Sequence, residues 1–135
     1  MDVIICLDDK NGMIFNHRRQ SRDSKVTEDI LKCLHGKQLL ISEFSAALFP
    51  GACGNIKVED NPLLAAKQDD ICFIENFILE PYEKCIERLI IYRWNRVYPA
   101  DVYLDIKLNH GWRMISTTEF SGHSHEKITK EIYTR

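Results

Sequence analysis

MDVIICLDDKNGMIF, residues 1–15, is the stretch that decides the fold class of this 135-residue chain. Residues 1–7 form a nearly continuous apolar run with β-branched side chains, a pattern typical of a strand buried on both faces of a sheet. The Asp-Asp-Lys-Asn-Gly turn at residues 8–12 ends this strand, and residues 13–15 return briefly to apolar side chains. We therefore expect the chain to open with the central strand of its sheet.

Helices and strands are expected to alternate downstream of this strand. After a polar loop over 16–23, apolar residues recur at helical spacing from about Ser24 to His35 and predict a helix, which Asp23 or Ser24 would cap. Gly36 would end it. The further expected elements are a strand over 38–42, a short helix over 43–49, a strand over 56–58, a short helix over 62–67, a strand over 71–75, a helix over 81–88 and a strand over 89–94.

The C-terminal part of the chain has the pattern of extended structure. Apolar residues alternate with polar ones over 102–108, which predicts a half-buried strand. Residues 112–120 and 127–135 flank Ser-Gly-His-Ser-His and predict an antiparallel hairpin, with a helix from Ser124 as the alternative. The whole pattern predicts a single α/β domain over residues 1–135, with a mainly parallel sheet flanked by helices and a C-terminal antiparallel hairpin.

Composition excludes several classes of protein. An apolar fraction of 44% and a charged fraction of 28% are typical of a globular chain. The formal charge of −2 gives no general attraction to nucleic acid, which we do not expect as a partner. No segment has the pattern of a signal peptide or a membrane span, so we expect a cytoplasmic protein without a membrane partner. The oligomeric state is left open.

The cysteines argue against both a disulfide framework and a zinc ribbon. They are odd in number and form no C-x-x-C motif. Cys6 and Cys72 lie in apolar, strand-like runs, where cysteine behaves as a small hydrophobic residue. We expect all five to be reduced; they are Cys6, Cys33, Cys53, Cys72 and Cys85.

Several local strings stand in an order shared with a known enzyme family. The first strand is followed by DKNGMI at residues 9–14, residues 72–76 read CFIEN, and Tyr82-Glu83 comes shortly after. In this order and at nearly this spacing, the strings resemble the dihydrofolate reductase family over almost the whole chain. The first string is similar to the family's substrate-covering loop, and the second stands where the family has a strand ending in Gly-Gly. The resemblance implies that fold, a pterin substrate and NADPH.

Two phosphate-binding turns of that family are altered in this chain. Glu75-Asn76 replaces the Gly-Gly that lets the backbone approach the cofactor pyrophosphate, and a carboxylate there would repel phosphate. The second turn, normally similar to Gly-Arg-x-Thr, reads Ser-Glu-Phe-Ser over 42–45 and lacks the arginine. These changes argue against NADPH, and the identity of any cofactor is left open.

The family also requires a carboxylate near the start of its first helix, which binds the pterin and assists its protonation. Asp23, Glu28 and Asp29 are the carboxylates in that region. Asp23 is placed to cap the helix, so Glu28 or Asp29 is our candidate catalytic acid. In the alternative interpretation, Glu28 and Asp29 only form the solvated face of the helix.

A basic cluster precedes this helix in His17-Arg-Arg-Gln-Ser-Arg22. Its arginines could bind phosphate or carboxylate through bidentate contacts, or they could form a solvated loop that pairs with the acids of the helix. If the resemblance holds, this loop borders the ligand cleft. The candidate cofactor-binding residues are therefore Arg18, Arg19, Arg22, Glu75 and Asn76.

The segment His123-Ser124-His125-Glu126 has a weak local similarity to the His-x-His-x-Asp-His motif of metallo-β-lactamase-type nucleases such as ribonuclease Z. Lys127 and Ile128 stand where that motif has its aspartate and third histidine, and the chain is short for that fold. We expect no metal site. The leading hypothesis is a diverged dihydrofolate-reductase-like domain that binds a small nucleotide-like or anionic ligand, with an NADPH-dependent reductase as its enzymatic form. A regulatory or interaction domain without catalysis is the alternative, and a metal-dependent nuclease is third.

Overall fold

The structure is a computed structural model and describes residues 1–51 and 54–135. The described strands are β1 (Asp2–Leu7), β2 (Gly12–Phe15), β3 (Arg18–Arg19), β4 (Leu39–Ile41), β5 (Ile56–Val58), β6 (Ile71–Phe73), β7 (Arg88–Arg93), β8 (Val102–Tyr103), β9 (Arg113–Phe120) and β10 (Ile128–Thr134). The described helices are α1 (Ser24–Lys32), α2 (Glu43–Ala46), α3 (Pro62–Ala65) and a 3₁₀ helix, Glu80–Cys85.

The main sheet has the strand order β5-β4-β6-β1-β7-β10-β9. β1 lies in the middle, parallel to β6 on one side and to β7 on the other. β10 pairs antiparallel with both β7 and β9, which closes the sheet with the predicted hairpin. A mainly parallel sheet with β1 at its centre is therefore confirmed. A second, antiparallel sheet has the order β3-β2-β8.

Alternate residues of β1 supply the cores on the two faces of the sheet. Val3, Ile5 and Leu7 belong to one apolar cluster and Ile4 to the other, because successive side chains of a strand point to opposite faces. Val26 and Ile30 of α1 pack into the second cluster. Leu63 of α3 and Leu79, just before the 3₁₀ helix, pack into the first. Helical segments thus cover both faces of the sheet.

α1 begins where the sequence predicts and ends earlier. The Asp23 carboxylate accepts a hydrogen bond of 2.9 Å from the Lys25 N–H, which is the expected N-cap contact. The helix ends at Lys32, three residues before the predicted end at His35. His35 and Gly36 adopt positive φ angles of 49° and 81°, which turn the chain away from the helical path. The predicted short helices over 43–49 and 62–67 likewise end early, at Ala46 and Ala65.

Two predicted elements of the second half differ from the structure. The helix predicted over 81–88 is a 3₁₀ helix, Glu80–Cys85, in which Cys85 is exposed. The strand predicted over 102–108 is reduced to β8, although Ile106 is buried as the alternation predicts. The backbone there makes other bonds: the Leu104 N–H donates to the Asn11 carbonyl at 2.9 Å.

Smaller differences concern loops and termini. The polar loop predicted over 16–23 contains β3, and the alternative of a helix from Ser124 is wrong, because this segment runs as a loop into β10. Cys6, Cys33, Cys72 and Cys85 are free thiols, and Cys53 lies outside the described residues. Among residues 1–51 and 54–135, no helix is both long enough and apolar enough to cross a membrane.

Candidate functional site

A small cleft lies at the edge of the sheet where the parallel strands end. It is lined by Cys6 of β1, Glu75 after β6 and Trp94 after β7, together with the segment from Arg19 to Asp23. Open α/β sheets bind their ligands at this carboxyl edge. The free space in the cleft is only about 20 Å³, enough for about one water molecule.

An ion pair between Arg19 and Glu75 occupies much of this cleft. The guanidinium donates from Nε to Oε2 at 2.8 Å and from Nη2 to Oε1 at 3.0 Å, and Nη2 also donates to the Phe44 carbonyl at 2.9 Å. The Ser45 hydroxyl donates to Oε1 at 2.7 Å. Glu75 is only 9% exposed. Both charges are thus satisfied inside the chain, in a bidentate arrangement of the strong kind.

Asp23 is the second carboxylate that lines the cleft, and its oxygens are fully engaged. Besides capping α1, it accepts hydrogen bonds from the N–H groups of His123 at 2.8 Å and Ser124 at 2.9 Å, and from Nδ1 of His125 at 2.9 Å. Burial opposes ionisation, but these hydrogen bonds outweigh it and hold the pKa of Asp23 well below its usual range. Asp23 is therefore an ionised acceptor and a poor proton donor.

The tight approach of the loop before β10 explains how Asp23 meets residues so distant in the chain. A Cβ on Gly122 would lie 2.6 Å from Asp23 Oδ2 and 2.8 Å from the His125 carbonyl oxygen, so only glycine fits at this position. The glycine lets the loop close over the start of α1. The imidazole of His125 is consequently held against the Asp23 carboxylate.

His125 links Asp23 to two hydroxyl groups. Its Nε2 lies 3.1 Å from Ser21 Oγ and 3.0 Å from the Tyr98 hydroxyl oxygen. The imidazole is 2% exposed and stacks on the Trp94 ring, with the ring centroids 4.7 Å apart and an interplanar angle of 21°. An ionised carboxylate only accepts hydrogen bonds, so we assign the proton to Nδ1 in the neutral imidazole, which leaves Nε2 as an acceptor.

The two candidate catalytic acids lie away from the cleft. Glu28 is exposed and forms a surface salt bridge of 3.6 Å with Lys25. Asp29 accepts hydrogen bonds from the Tyr92 hydroxyl at 2.6 Å and from Lys130 Nζ at 2.9 Å, so it joins α1 to the sheet. Burial opposes ionisation of Asp29, yet these two donors keep its pKa below the usual range. Neither side chain is among the residues that line the cleft, and the assignment of Glu28 or Asp29 as catalytic acid stays a prediction.

The candidate anion-binding arginines separate into two kinds. Arg19 is committed to Glu75, whereas Arg18 and Arg22 are exposed. Neither of these two forms a salt bridge to any described part of the chain. Arg22 lines the cleft and also a wider depression of about 490 Å³ beside it, while Arg18 lies on a separate hollow of about 220 Å³. Asn76 is exposed next to Glu75.

The two histidines of the weak nuclease motif are not placed as a metal pair. His123 and Glu126 are exposed, and His125 is buried against Asp23. Over residues 1–51 and 54–135, no three His, Cys, Asp or Glu side chains stand close enough together to hold a metal ion.

Comparison with known proteins assigns the fold of the chain. No family model and no curated protein matches the chain. Among solved structures, the dihydrofolate reductase of Enterococcus faecalis in complex with NADP(H) and RAB-propyl superposes with a TM-score of 0.70, over 99% of this chain and 95% of that one. The chain has the dihydrofolate reductase fold. The identity is 10%, so the likeness extends to the dihydrofolate reductase fold alone and leaves the activity open.

The residues at the expected cofactor turn do not fit a dinucleotide phosphate. Glu75 places its carboxylate where the dihydrofolate reductase family has glycine, and this carboxylate is already bound to Arg19. The amides that open the following helical segment are also occupied, because the Asp105 carboxylate accepts from the N–H groups of Leu79 at 2.9 Å and Glu80 at 2.8 Å. Carboxylates of the chain thus occupy the positions at which a bound phosphate would need hydrogen-bond donors.

Sequence reasoning missed the cluster of Ser21, Tyr98 and His125. The chain separates Ser21 from His125 by 104 positions and Tyr98 from His125 by 27, so no local motif joins them. The only local signal was the His-x-His string, which pointed to metal binding. Asp23, which contacts this cluster through His125, was identified from the sequence in one of its observed roles, as the cap of α1.

Proposed function

We propose that this chain binds a small, nucleotide-like or otherwise anionic molecule in the depression beside the cleft, with Arg22 as the principal contact, and that it does not reduce pterins. The observation that carries the proposal is the contrast between the two arginines of the cleft. Arg19 is neutralised by Glu75, whereas Arg22 lines the depression and forms no salt bridge within the part of the chain that the structure describes. A free guanidinium beside a hollow is suited to phosphate or carboxylate.

The size and lining of the depression support a small ligand. Its volume of about 490 Å³ lies within the range of ordinary ligand pockets. Thr27, His123 and Ser124 add polar groups, and Leu48 and Pro50 add an apolar side. Arg18, on the neighbouring hollow, is a second cation for a ligand with more than one charge.

The loss of reductase chemistry is proposed on two grounds. Neither of the two carboxylates that line the cleft is suited to protonate a pterin, because Asp23 is ionised with its oxygens taken and Glu75 is paired with Arg19. The Arg19–Glu75 pair fills the space and the phosphate turn that substrate and cofactor would use. We expect no oxidation of NADPH in the presence of dihydrofolate, measured by loss of the nicotinamide absorbance.

Isothermal titration tests the binding proposal with pyrophosphate, ADP, NADPH and dihydrofolate as separate probes. We expect at least one phosphate-bearing probe to bind, and Arg22→Gln to weaken it about tenfold or more, in line with the loss of a charged hydrogen bond. Arg113→Gln is the matched control, because Arg113 is an exposed arginine on the distant edge strand β9. Absence of binding by all four probes, or equal binding by wild type and Arg22→Gln, would refute the proposal.

The second candidate function is a regulatory or interaction domain that retains the fold without a ligand. The filled cleft favours it, since only about 20 Å³ is free between Arg19, Glu75 and Trp94. The same titration separates the two candidates. Failure of all four probes together with a stable, folded protein would favour the interaction domain.

A further inference from the structure

We propose that Ser21, His125 and Asp23 form a nucleophilic relay at the cleft, with Ser21 as the nucleophile of an acyl-transfer reaction on esters of small carboxylic acids. The proposal goes beyond ligand binding and does not rest on it. It requires only these side chains and the cleft, and none of its contacts involves Arg22.

The three side chains have the geometry that such a relay needs. Ser21 Oγ lies 3.1 Å from His125 Nε2, and His125 Nδ1 lies 2.9 Å from Asp23 Oδ2. These distances fall within the hydrogen-bond range expected between nucleophile and base, and between base and orienting carboxylate. The constellation is recognised by geometry and roles rather than by the order of residues in the chain.

The three side chains differ in burial in the way that their roles require. Asp23 is 0% exposed and His125 is 2% exposed, whereas Ser21 is half-buried and lines the cleft. The Asp23 carboxylate and the Trp94 ring fix the position and tautomer of the imidazole. Only the hydroxyl end of the relay can meet a molecule from outside, as a nucleophile must.

The Tyr98 hydroxyl is the one competitor for His125 Nε2 among the contacts described. It lies 3.0 Å away, as close as Ser21. Nε2 has a single lone pair in the neutral imidazole, so only one hydroxyl donates to it fully at a time. Ser21 attacks from the state in which it is the donor, and Tyr98 lowers the population of that state.

The proposed chemistry balances without any further reactant than ester and water. Ser21 Oγ forms a bond to the acyl carbon while His125 Nε2 takes the hydroxyl proton. The bond from the acyl carbon to the ester oxygen then breaks, and His125 returns the proton to the leaving alcohol. Water repeats the sequence on the acyl-serine and restores the Ser21 hydroxyl. Asp23 acts as a positioning residue, since it stabilises the imidazolium without touching the substrate.

The cleft restricts the acyl group. The space beside Ser21 is about 20 Å³, close to that of a single water molecule, so it favours the smallest acyl groups and excludes a long chain. The leaving alcohol would extend outward, past the mouth of the cleft. We therefore expect acetate esters to react and octanoate esters of the same alcohol to react poorly.

Covalent labelling with a small fluorophosphonate tests the relay on the intact protein. Mass spectrometry should locate the label on Ser21, and His125→Gln should slow labelling of Ser21 by about a hundredfold or more, the range of general-base catalysis. Tyr98→Phe should label at least as fast as wild type, because its competing hydroxyl is gone. Ser116→Ala, on strand β9, is the control that should leave the rate unchanged.

The pH profile of wild-type labelling keeps the proposal testable if a variant does not fold. The titratable groups that contact the imidazole are Asp23, from the start of α1, and Tyr98, from the segment after β7. The rate should fall in acid and become independent of pH in alkali, as a reaction that needs a general base requires. Labelling that rises in proportion to hydroxide throughout, a label on Tyr98 instead of Ser21, or no label at all would overturn the proposal.

Discussion

Asp23 combines a local role with a long-range one. As the N-cap of α1 it satisfies the Lys25 N–H, and the same carboxylate binds the N–H groups of His123 and Ser124. Such a cap is worth about 0.5–2 kcal/mol by itself. Through the additional hydrogen bonds, the same carboxylate links the start of α1 to the loop before β10.

Replacement of Asp23 by asparagine should change how stability depends on acid. The pKa of Asp23 is lower in the folded protein than in the unfolded chain. As the pH falls below about 4, Asp23 therefore binds a proton in the unfolded chain while it is still ionised in the folded protein. This proton binding stabilises the unfolded chain, so the free energy of unfolding of wild type decreases. Asp23→Asn has no such proton to bind. The difference in free energy of unfolding between wild type and Asp23→Asn should therefore become smaller from about pH 5 to about pH 2.5, as measured by denaturant unfolding.

The matched control for this experiment is Glu28→Gln. Glu28 lies on the same helix, but its side chain is 53% exposed and its ion pair is on the surface. Glu28→Gln should follow the wild-type dependence on acid closely. If the difference in free energy of unfolding between wild type and Asp23→Asn is equally large at both pH values, ionised Asp23 does not provide the link between α1 and the loop before β10.

At the residue scale, the sequence reveals partners only when they are close along the chain. Asp23 as a cap is readable because its partner stands two positions away. The pairing of Arg19 with Glu75 spans 56 positions and that of His125 with Asp23 spans 102. Each of these charges has several possible partners in the sequence, and only the folded sheet selects one.

At the element scale, the 3₁₀ helix shows how a side chain from another segment fixes an element. Pro81 lacks an N–H, and the two amides before it donate to the Asp105 carboxylate. The alternating run over 102–108 predicts a strand because its apolar side chains do face inward. Its backbone instead bonds to Asn11 and supplies Asp105 as a cap, which side-chain periodicity does not report.

Asp105→Ala should loosen the start of this 3₁₀ helix while leaving the sheet intact. It removes the acceptor of two backbone N–H groups, so we expect a loss of about 0.5–2 kcal/mol. Hydrogen exchange should accelerate at Leu79 and Glu80, with little change in β1. Asp69→Ala, which removes an exposed carboxylate, is the control and should leave exchange at both amides as in wild type. Unchanged hydrogen exchange at Leu79 and Glu80 in Asp105→Ala would show that the Asp105 carboxylate does not protect these two amides.

At the scale of the whole molecule, Cys72 reports on opening of the sheet. It lies on β6 between β4 and β1 and is fully buried. Burial, reinforced by the nearby Asp70 charge, raises the pKa of the Cys72 thiol to about 12. Reaction with a thiol reagent should therefore require unfolding, and its rate should rise with denaturant as global unfolding does.

Cys85 provides the internal comparison for this measurement. It is exposed, so it should react at once and independently of denaturant. Mass spectrometry after timed labelling distinguishes the two sites in a single sample. Modification of Cys72 as rapid as that of Cys85 in the absence of denaturant would mean that β6 separates from its neighbours without global unfolding.

The architecture of the molecule was more accessible from the sequence than its site. The apolar first strand and the order of the later strings predict a mainly parallel sheet with a C-terminal hairpin, because burial on both faces leaves a continuous apolar run. The cleft depends on where loops cross the ends of distant strands. Gly122 illustrates this: its necessity appears only when the Asp23 carboxylate is seen 2.6 Å from the position a Cβ would take.

The central position of β1 has a consequence for how the protein is made. β1 precedes both of its partners in the chain, and β6 and β7 end at Phe73 and Arg93, so synthesis must pass residue 93 before both edges of β1 can be paired. Until then, residues 2–7 remain an exposed apolar segment with open backbone groups. Exposed apolar strands with unpaired edges favour aggregation, so the interval before residue 93 emerges is the stage of synthesis at which this segment is open to intermolecular pairing.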